Sequence, residues 1–295
     1  MSGEGAVKSQ LILRPEFDRV PVDASSVGEV VRPLSWLQRL MDNALFRRGA
    51  ILAALALIWQ LYALWLHNSL LFPTLTDTIG VMVHDFADGT LLQRTEASLE
   101  VLLMGYAAGV ALAAVLTTLA VSTRLGDDIL STLTAIFNPL PAIALLPLAL
   151  IWFGLGTPSL IFVLVHGVLW AIALNTSSGF RSVPETLRMS GRNYGLSGVR
   201  YVVTILMPAA FPSILTGLKI GWAFAWRTLI AAELVFGVSS RSGGLGWYIF
   251  EAREELNTSS VFAGLLTVII IGLLVESVLF RAIEARTVEK WGMQR

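Results

Sequence analysis

The chain is 295 residues long, 55% hydrophobic and only 14% charged, with 21 basic residues, 21 acidic residues and no cysteine. Soluble domains carry about 45–50% apolar and about 25% charged residues, so this composition excludes a disordered chain, a solvated repeat array and most soluble enzymes. Zero net charge leaves no basic excess for nucleic acid, and the lack of cysteine excludes disulfides, thiol catalysis, cysteine-ligated zinc and iron–sulfur clusters.

Residues 1–49 carry Lys8, Arg14, Arg19, Arg32, Arg39, Arg47 and Arg48, with several prolines. They lack the short apolar core and small-residue cleavage site of a signal peptide. Leu34, Leu37, Met41 and Leu45 recur near helical spacing beside Arg39, Arg47 and Arg48, the pattern of a helix lying in the membrane interface. A solvated tail before Ser35 is an equally open reading.

Six apolar runs follow, at 50–72, 99–122, 129–153, 159–179, 209–236 and 261–283. A spanning helix needs about 20 mostly apolar residues, so each run is long enough to cross a bilayer. The expected fold is all-α: a polytopic membrane protein with a six-helix domain over 50–283, an N-terminal tail over 1–49 and a C-terminal tail over 284–295. Pro139, Pro141 and Pro147 interrupt the third run and predict a kinked helix there. Gly105, Gly109, Ala113 and Thr117 form a small-residue stripe on the second span, and Gly217, Gly221 and Ala225 form one on the fifth. Such stripes suit close helix packing, whether static or sliding.

Lysine and arginine orient the chain, because cytoplasmic loops hold more of them than outer loops do. Sixteen lie in the N-terminal tail, the second-to-third link, the fourth-to-fifth link and the C-terminal tail. Only Arg94, Arg241 and Arg253 fall on the opposite side. Both termini are therefore expected in the cytoplasm. No outer loop is long enough for a folded receptor domain, and no phosphate-binding loop occurs. Gly243, Gly244 and Gly246 read as a turn, and His67, His84 and His166 show no metal-ligand spacing.

The fourth-to-fifth link, 181–208, is the informative cytoplasmic segment. Pro184 and Glu185 make a good helix start, and Gly195 a left-handed stop. Leu187, Gly191 and Tyr194 share a face of the helix between them, with Ser190 beside them. A small-residue notch flanked by larger side chains suits docking into a groove on another protein, and Arg188 and Arg192 project toward an acidic partner surface. A short amphipathic helix lying on the bilayer is the other reading of the same pattern.

This segment resembles the loop that marks permease subunits of ABC importers: Glu-Ala-Ala, three residues, Gly, nine residues, Ile-x-Leu-Pro. Aligned on Gly195, Ile205 and Pro208 match, Met207 replaces Leu, and Met189, Ser190 and Gly191 occupy the Glu-Ala-Ala positions without the acid. The proline-rich run 138–156 is similar to the third-helix signature of the nitrate/sulfonate/taurine branch, and so are 208–219, 231–233 and 244–246 in later stretches. The likeness covers about 50–292 and leaves the long tail unmatched.

The resemblance implies a type I ABC importer permease in the bacterial inner membrane, paired with a second copy as a homodimer. Two cytoplasmic ATPase subunits would bind the ATP and Mg, and a separate extracytoplasmic binding protein would deliver substrate. The permease would hold no cofactor or metal and catalyse no covalent reaction. Its coupling residues would be Glu185, Leu187, Arg188, Met189, Ser190, Gly191, Arg192, Tyr194, Gly195, Ile205 and Pro208. Substrate would be a small organic or inorganic anion such as a sulfonate, taurine or nitrate, with neutral heterocycles and vitamin precursors as alternatives. A secondary transporter driven by an ion gradient is the rival class, though no internal repeat is visible.

Three polar residues of the apolar runs are pathway candidates: Arg227, Glu233 and Asn138. Charges in mid-membrane face protein or a water-filled path. Arg227 is expected either to find a carboxylate or carbonyl on another helix or to line the pathway. Glu233 lies too far around the helix to pair with it, and Lys219 is expected to snorkel to the cytoplasmic boundary.

Overall fold

The computed structural model describes residues 42–236 and 243–290. The described residues are helical, without strands. Contacts divide the chain after Ala54. The first unit is described only from Asp42, where Arg47 donates to the Asp42 carbonyl and the side chain of Asn43 accepts from the Leu45 amide. Of the expected interfacial segment, Leu34, Leu37 and Met41 lie outside the described residues. Helix α1 runs Ala44–Leu66, and Ala63 is its buried residue.

In the second unit, the indole of Trp59 donates to the Pro73 carbonyl at 3.0 Å and packs with Phe72 and Phe262. Helix α2, Leu75–Ala87, starts at Thr74, whose hydroxyl accepts the Asp77 amide. Helix α3, Thr90–Ser122, follows a left-handed Gly89. Helix α4, Arg124–Phe137, is capped by Thr123.

The third apolar run is where the structure departs most from a kinked span. Helix α4 ends at the prolines, a 3₁₀ turn covers Ala142–Leu145, and α5 runs Leu146–Phe153. The two halves meet at 86°. Pro139 and Pro141 cannot donate to a helical ladder, so the ladder of α4 closes at Asn138, still in helical backbone with its amide on the Thr134 carbonyl. Two such residues in three positions break the helix rather than bend it.

Helix α6, Thr157–Ser182, is the centre of the domain, with 56% of its most apolar window buried. Helix α7, Glu185–Asn193, and the single turn α8, Gly198–Tyr201, cross the following link. A π turn at Val202–Leu206 leads into α9, Met207–Phe236, making one continuous helix from Gly198 to Val235. That span begins earlier than expected. The widened turn precedes Pro208, whose ring disrupts the regular ladder. Helix α10, Leu245–Glu254, and α11, Thr258–Leu274, complete the described fold with the turns that carry α11 on to Glu289. Residues 284–289, expected in a tail, thus extend the last helix.

Among the described residues five helices are long and apolar enough to cross a membrane, and the bent pair supplies a sixth crossing if its halves form one span. Both small-residue stripes face α6. A Cβ on Gly105 would lie 2.7 Å from that of Leu164, and one on Gly109 2.7 Å from that of Val168. On the other side, a Cβ on Gly217 would lie 2.9 Å from Asn175. The stripes therefore seat α3 and α9 directly against α6, where any side chain would force the helices apart.

Candidate functional site

The link between α6 and α9 builds a small core of its own. Phe180, Val183, Tyr201, Val202, Leu206 and Ala210 are buried together, with Leu196 and Ile205 packed against them. Pro184 precedes α7 and Glu185 opens it. Gly195, at φ +73°, ends it, donating to the Arg192 carbonyl.

The side chains point differently from the sequence pattern. Gly191 is buried, and a Cβ there would lie 2.9 Å from Ile205 Cγ1 and 3.1 Å from Tyr201 Cε2. The notch is filled by this chain's own residues. Arg188 also turns inward. Its guanidinium donates to the carbonyls of Phe180 and Val183, capping α6, and Glu185 lies 4.0 Å away. Arg192 remains exposed, as do Ser190 and Gly195. Leu187, Met189 and Tyr194 expose 39%, 54% and 84% of their surfaces. Pro208 is exposed in the first turn of α9.

The pathway candidates separate. Glu233 is 1% exposed. Ser98 Oγ donates to its carboxylate, as does the Gly246 amide at 2.9 Å, and the Leu245 amide donates to Ser98 Oγ at 2.8 Å. Glu233 therefore binds the start of α10 to α3 and α9. Gly244 and Gly246 lie so close to it that a Cβ at either position would collide with its side chain. Ser98 and this use of the glycines were not legible in the sequence, because the three segments meet only in the fold.

Arg227 is exposed. Its Nε donates to the Ala223 carbonyl of its own helix at 2.9 Å, and its guanidinium lies 5.3 Å from the Phe224 ring centre. Among the described residues it meets no carboxylate. Lys219 does not simply reach for the boundary but pairs with Glu284 at 2.6 Å. A groove of about 610 Å³ between α9 and α11 is lined by Lys219, Arg227 and Glu276 among apolar residues.

Asn138 lies at the elbow of the broken span and lines a cavity of about 260 Å³ with His166, Trp170, Phe224 and Thr228. His166 and Trp170 are one turn apart on α6, a spacing visible in the sequence, but nothing there placed them beside the elbow.

At the end of α2, His84, Asp85 and Asp88 bring their ligating atoms within 4.8 Å of one another. The Tyr248 hydroxyl already donates to Asp85 at 2.5 Å, and burial together with that bond raises the Tyr248 pKa well above the ordinary phenol range. The Thr90 amide donated to Asp88 holds that exposed carboxyl below its usual value. Asp85 and Asp88 thus serve as local acceptors.

The family described as the binding-protein-dependent transport system inner membrane component matches residues 104–288. A putative ABC transporter permease protein of Methanocaldococcus jannaschii is 34% identical over 230 residues, covering 76% of this chain and 85% of its own. The taurine transport system permease protein of Escherichia coli is 31% identical over 265 residues, covering 86% and 93%. The nitrate import permease protein of Synechocystis is 31% identical over 271 residues, covering 90% and 92%.

Proposed function

Because the chain belongs to the family of inner-membrane permease components of binding-protein-dependent ABC transport systems, we propose that it forms the pathway for a small organic or inorganic anion and couples it to cytoplasmic ATPase subunits. The permease is a multi-pass membrane protein and not an enzyme. ATP and Mg are held by the ATPases. Two copies flank the pathway, a separate binding protein delivers substrate from outside, and both termini lie in the cytoplasm. The arginine-rich links support that orientation, and the taurine and nitrate relatives support an anion.

The observation that carries the coupling reading is the minor core under α7. Gly191, Tyr201 and Ile205 hold the short helix against the ends of α6 and α9, while Leu187, Met189 and Tyr194 remain exposed. A push on α7 is therefore transmitted to two membrane helices without being absorbed by a slack loop. Exposed apolar side chains on a short rigid helix suit a groove on a partner protein. In this reading Glu185, Arg188, Gly191, Gly195, Ile205 and Pro208 shape the element, and Leu187, Met189, Ser190, Arg192 and Tyr194 meet the ATPase.

The decisive experiment is co-purification with a candidate ATPase subunit from the same source, followed by ATP hydrolysis in proteoliposomes with and without a candidate binding protein. Stimulation by the loaded binding protein is expected. Failure of the ATPase to associate would refute the coupling reading.

A further inference from the structure

We propose that the cleft between α4 and α6 is a hydrated passage by which the transported anion leaves the elbow of the broken span, with Arg181 as its charge contact at the mouth. The proposal rests on the pathway reading above and gives that pathway a wall. The cleft holds about 480 Å³, with Asn138 and Pro139 at its elbow end and Asp127 and Arg181 at the other. On α4 the wall is Asp127, Ser131, Thr134 and Asn138, at i, i+4, i+7 and i+11. At about 100° per residue these four fall within about 60° of one another. Leu125, Ile129 and Ile136 fall on the opposite side of the helix, and all three are exposed. Helix α4 therefore presents an apolar face outward and a polar face to the cleft. The polar row is about 16 Å long, roughly half the hydrocarbon thickness of a bilayer. Across from it, α6 contributes Ser177, Ser178 and Arg181.

Most polar atoms of this wall are unspent. On other spans Thr117, Thr216 and Thr267 donate to the carbonyl one turn back, the usual outlet for a hydroxyl in an apolar setting. The hydroxyls of Thr134, Ser177 and Ser178 and the side-chain amide of Asn138 make no hydrogen bond among the described residues. None of them is sealed from solvent, as the Thr176 hydroxyl is. Ser131, Asn138 and Ser178 are exposed outright. Hydroxyls and an amide both donate and accept, so the row suits water and a polar solute and does not suit lipid tails. The groove between α9 and α11 has no such row, since only Lys219, Arg227 and Glu276 break its apolar lining.

Charge at the mouth selects an anion. Arg181 is the one cation of the lining, and it pairs with Asp127 at 2.7 Å while 64% and 49% of the two side chains stay exposed. An ion pair this exposed contributes little stability, so it opens readily. On Arg181 the Asp127 carboxylate occupies the position an oxyanion would take, because a guanidinium offers its fork of N–H donors to either. An arriving anion displaces Asp127, and Asp127 closes on Arg181 again once the anion has left.

Because the chain has no cysteine, single cysteines report on the cleft directly. Ser131→Cys, Asn138→Cys and Ser178→Cys sit in the wall, and Ile129→Cys and Ile136→Cys are controls at matching depth on the opposite face of α4. Inside-out vesicles carrying the full chain are treated with an anionic and a cationic methanethiosulfonate reagent. The wall cysteines should react at least tenfold faster than the controls. Nitrate or methanesulfonate, at ionic strength held with gluconate, should slow modification of Ser178→Cys saturably. Adding Arg181→Gln should remove that protection and lower the ratio of anionic to cationic rates several-fold, whereas Asp127→Asn should raise the ratio. Wall cysteines no more reactive than the controls would overturn the proposal, and so would protection that is absent or that survives Arg181→Gln. If the complete complex takes up an anion while the wall cysteines stay unreactive, the passage fails and the importer reading stands. If the wall reacts and is protected but the complex shows no uptake driven by ATP, the cleft stands as an anion site and the importer reading fails.

Discussion

Replacing Glu233 by alanine should destabilise the protein more than any other single change at a polar residue of the spans. The carboxylate accepts from the Ser98 hydroxyl and the Gly246 amide in a fully buried setting. Alanine leaves both donors without a partner, and each orphaned buried donor costs about 1–3 kcal/mol. The loss is therefore about 2–6 kcal/mol, before any term for the space vacated. In a chain of this size 1 kcal/mol moves the melting temperature by roughly 2–4 °C, so a fall of about 4 °C or more is expected. Glu233→Gln retains the volume and one acceptor oxygen and should fall between native and alanine. Thermal unfolding of detergent-solubilised protein reads all three. Ser98→Ala combined with Glu233→Ala should be clearly less than additive, because the two residues share a bond. An unchanged melting temperature for Glu233→Ala, or strict additivity with Ser98→Ala, would refute the argument and return Glu233 to the pathway candidates.

The lack of cysteine makes topology directly testable. Ser182→Cys should react with an impermeant thiol reagent only from the cytoplasmic side, and Glu254→Cys only from outside. Labelling of both from one face of intact cells would break the orientation. Tyr194→Glu should abolish ATPase association while the chain still inserts and melts normally, and normal ATPase association would exclude its exposed face from the contact. Gly191→Glu is the poorer probe, since it would disrupt the chain's own packing against Tyr201 and Ile205. Arg227→Gln in the assembled complex should bind ATP normally but lose uptake of an anionic substrate, and a native rate would remove Arg227 from the pathway. The raised pKa of Tyr248 means the folded state holds the phenol proton more tightly than the unfolded state. Its contribution is then complete below about pH 10 and declines as pH rises beyond that. The native chain should lose stability more steeply than Tyr248→Phe in that range, and parallel curves would deny the Asp85 bond a role.

The local and periodic features were legible in the residues alone. Apolar run length follows from the thickness of a bilayer, so the candidate spans at 50–72, 99–122, 159–179, 209–236 and 261–283 each fall on a long apolar helix. Pro184, Glu185 and Gly195 act within a turn or two of chain, and α7 starts and stops where they place it. The small-residue stripes announced close packing because only a helix neighbour explains them. What each side chain meets was decided by the tertiary fold. Whether Gly191 opens outward or is filled by Ile205 depends on how α9 returns beneath α7. Whether Glu233 faces a pathway or holds Gly246 and Ser98 depends on three segments whose contacts span as many as 147 residues. The prolines at 139 and 141 told of a disturbance, but its size, a turn of 86°, is visible only in the fold. Helical periodicity records which residues share a face, and carries no information on which other helix that face will find.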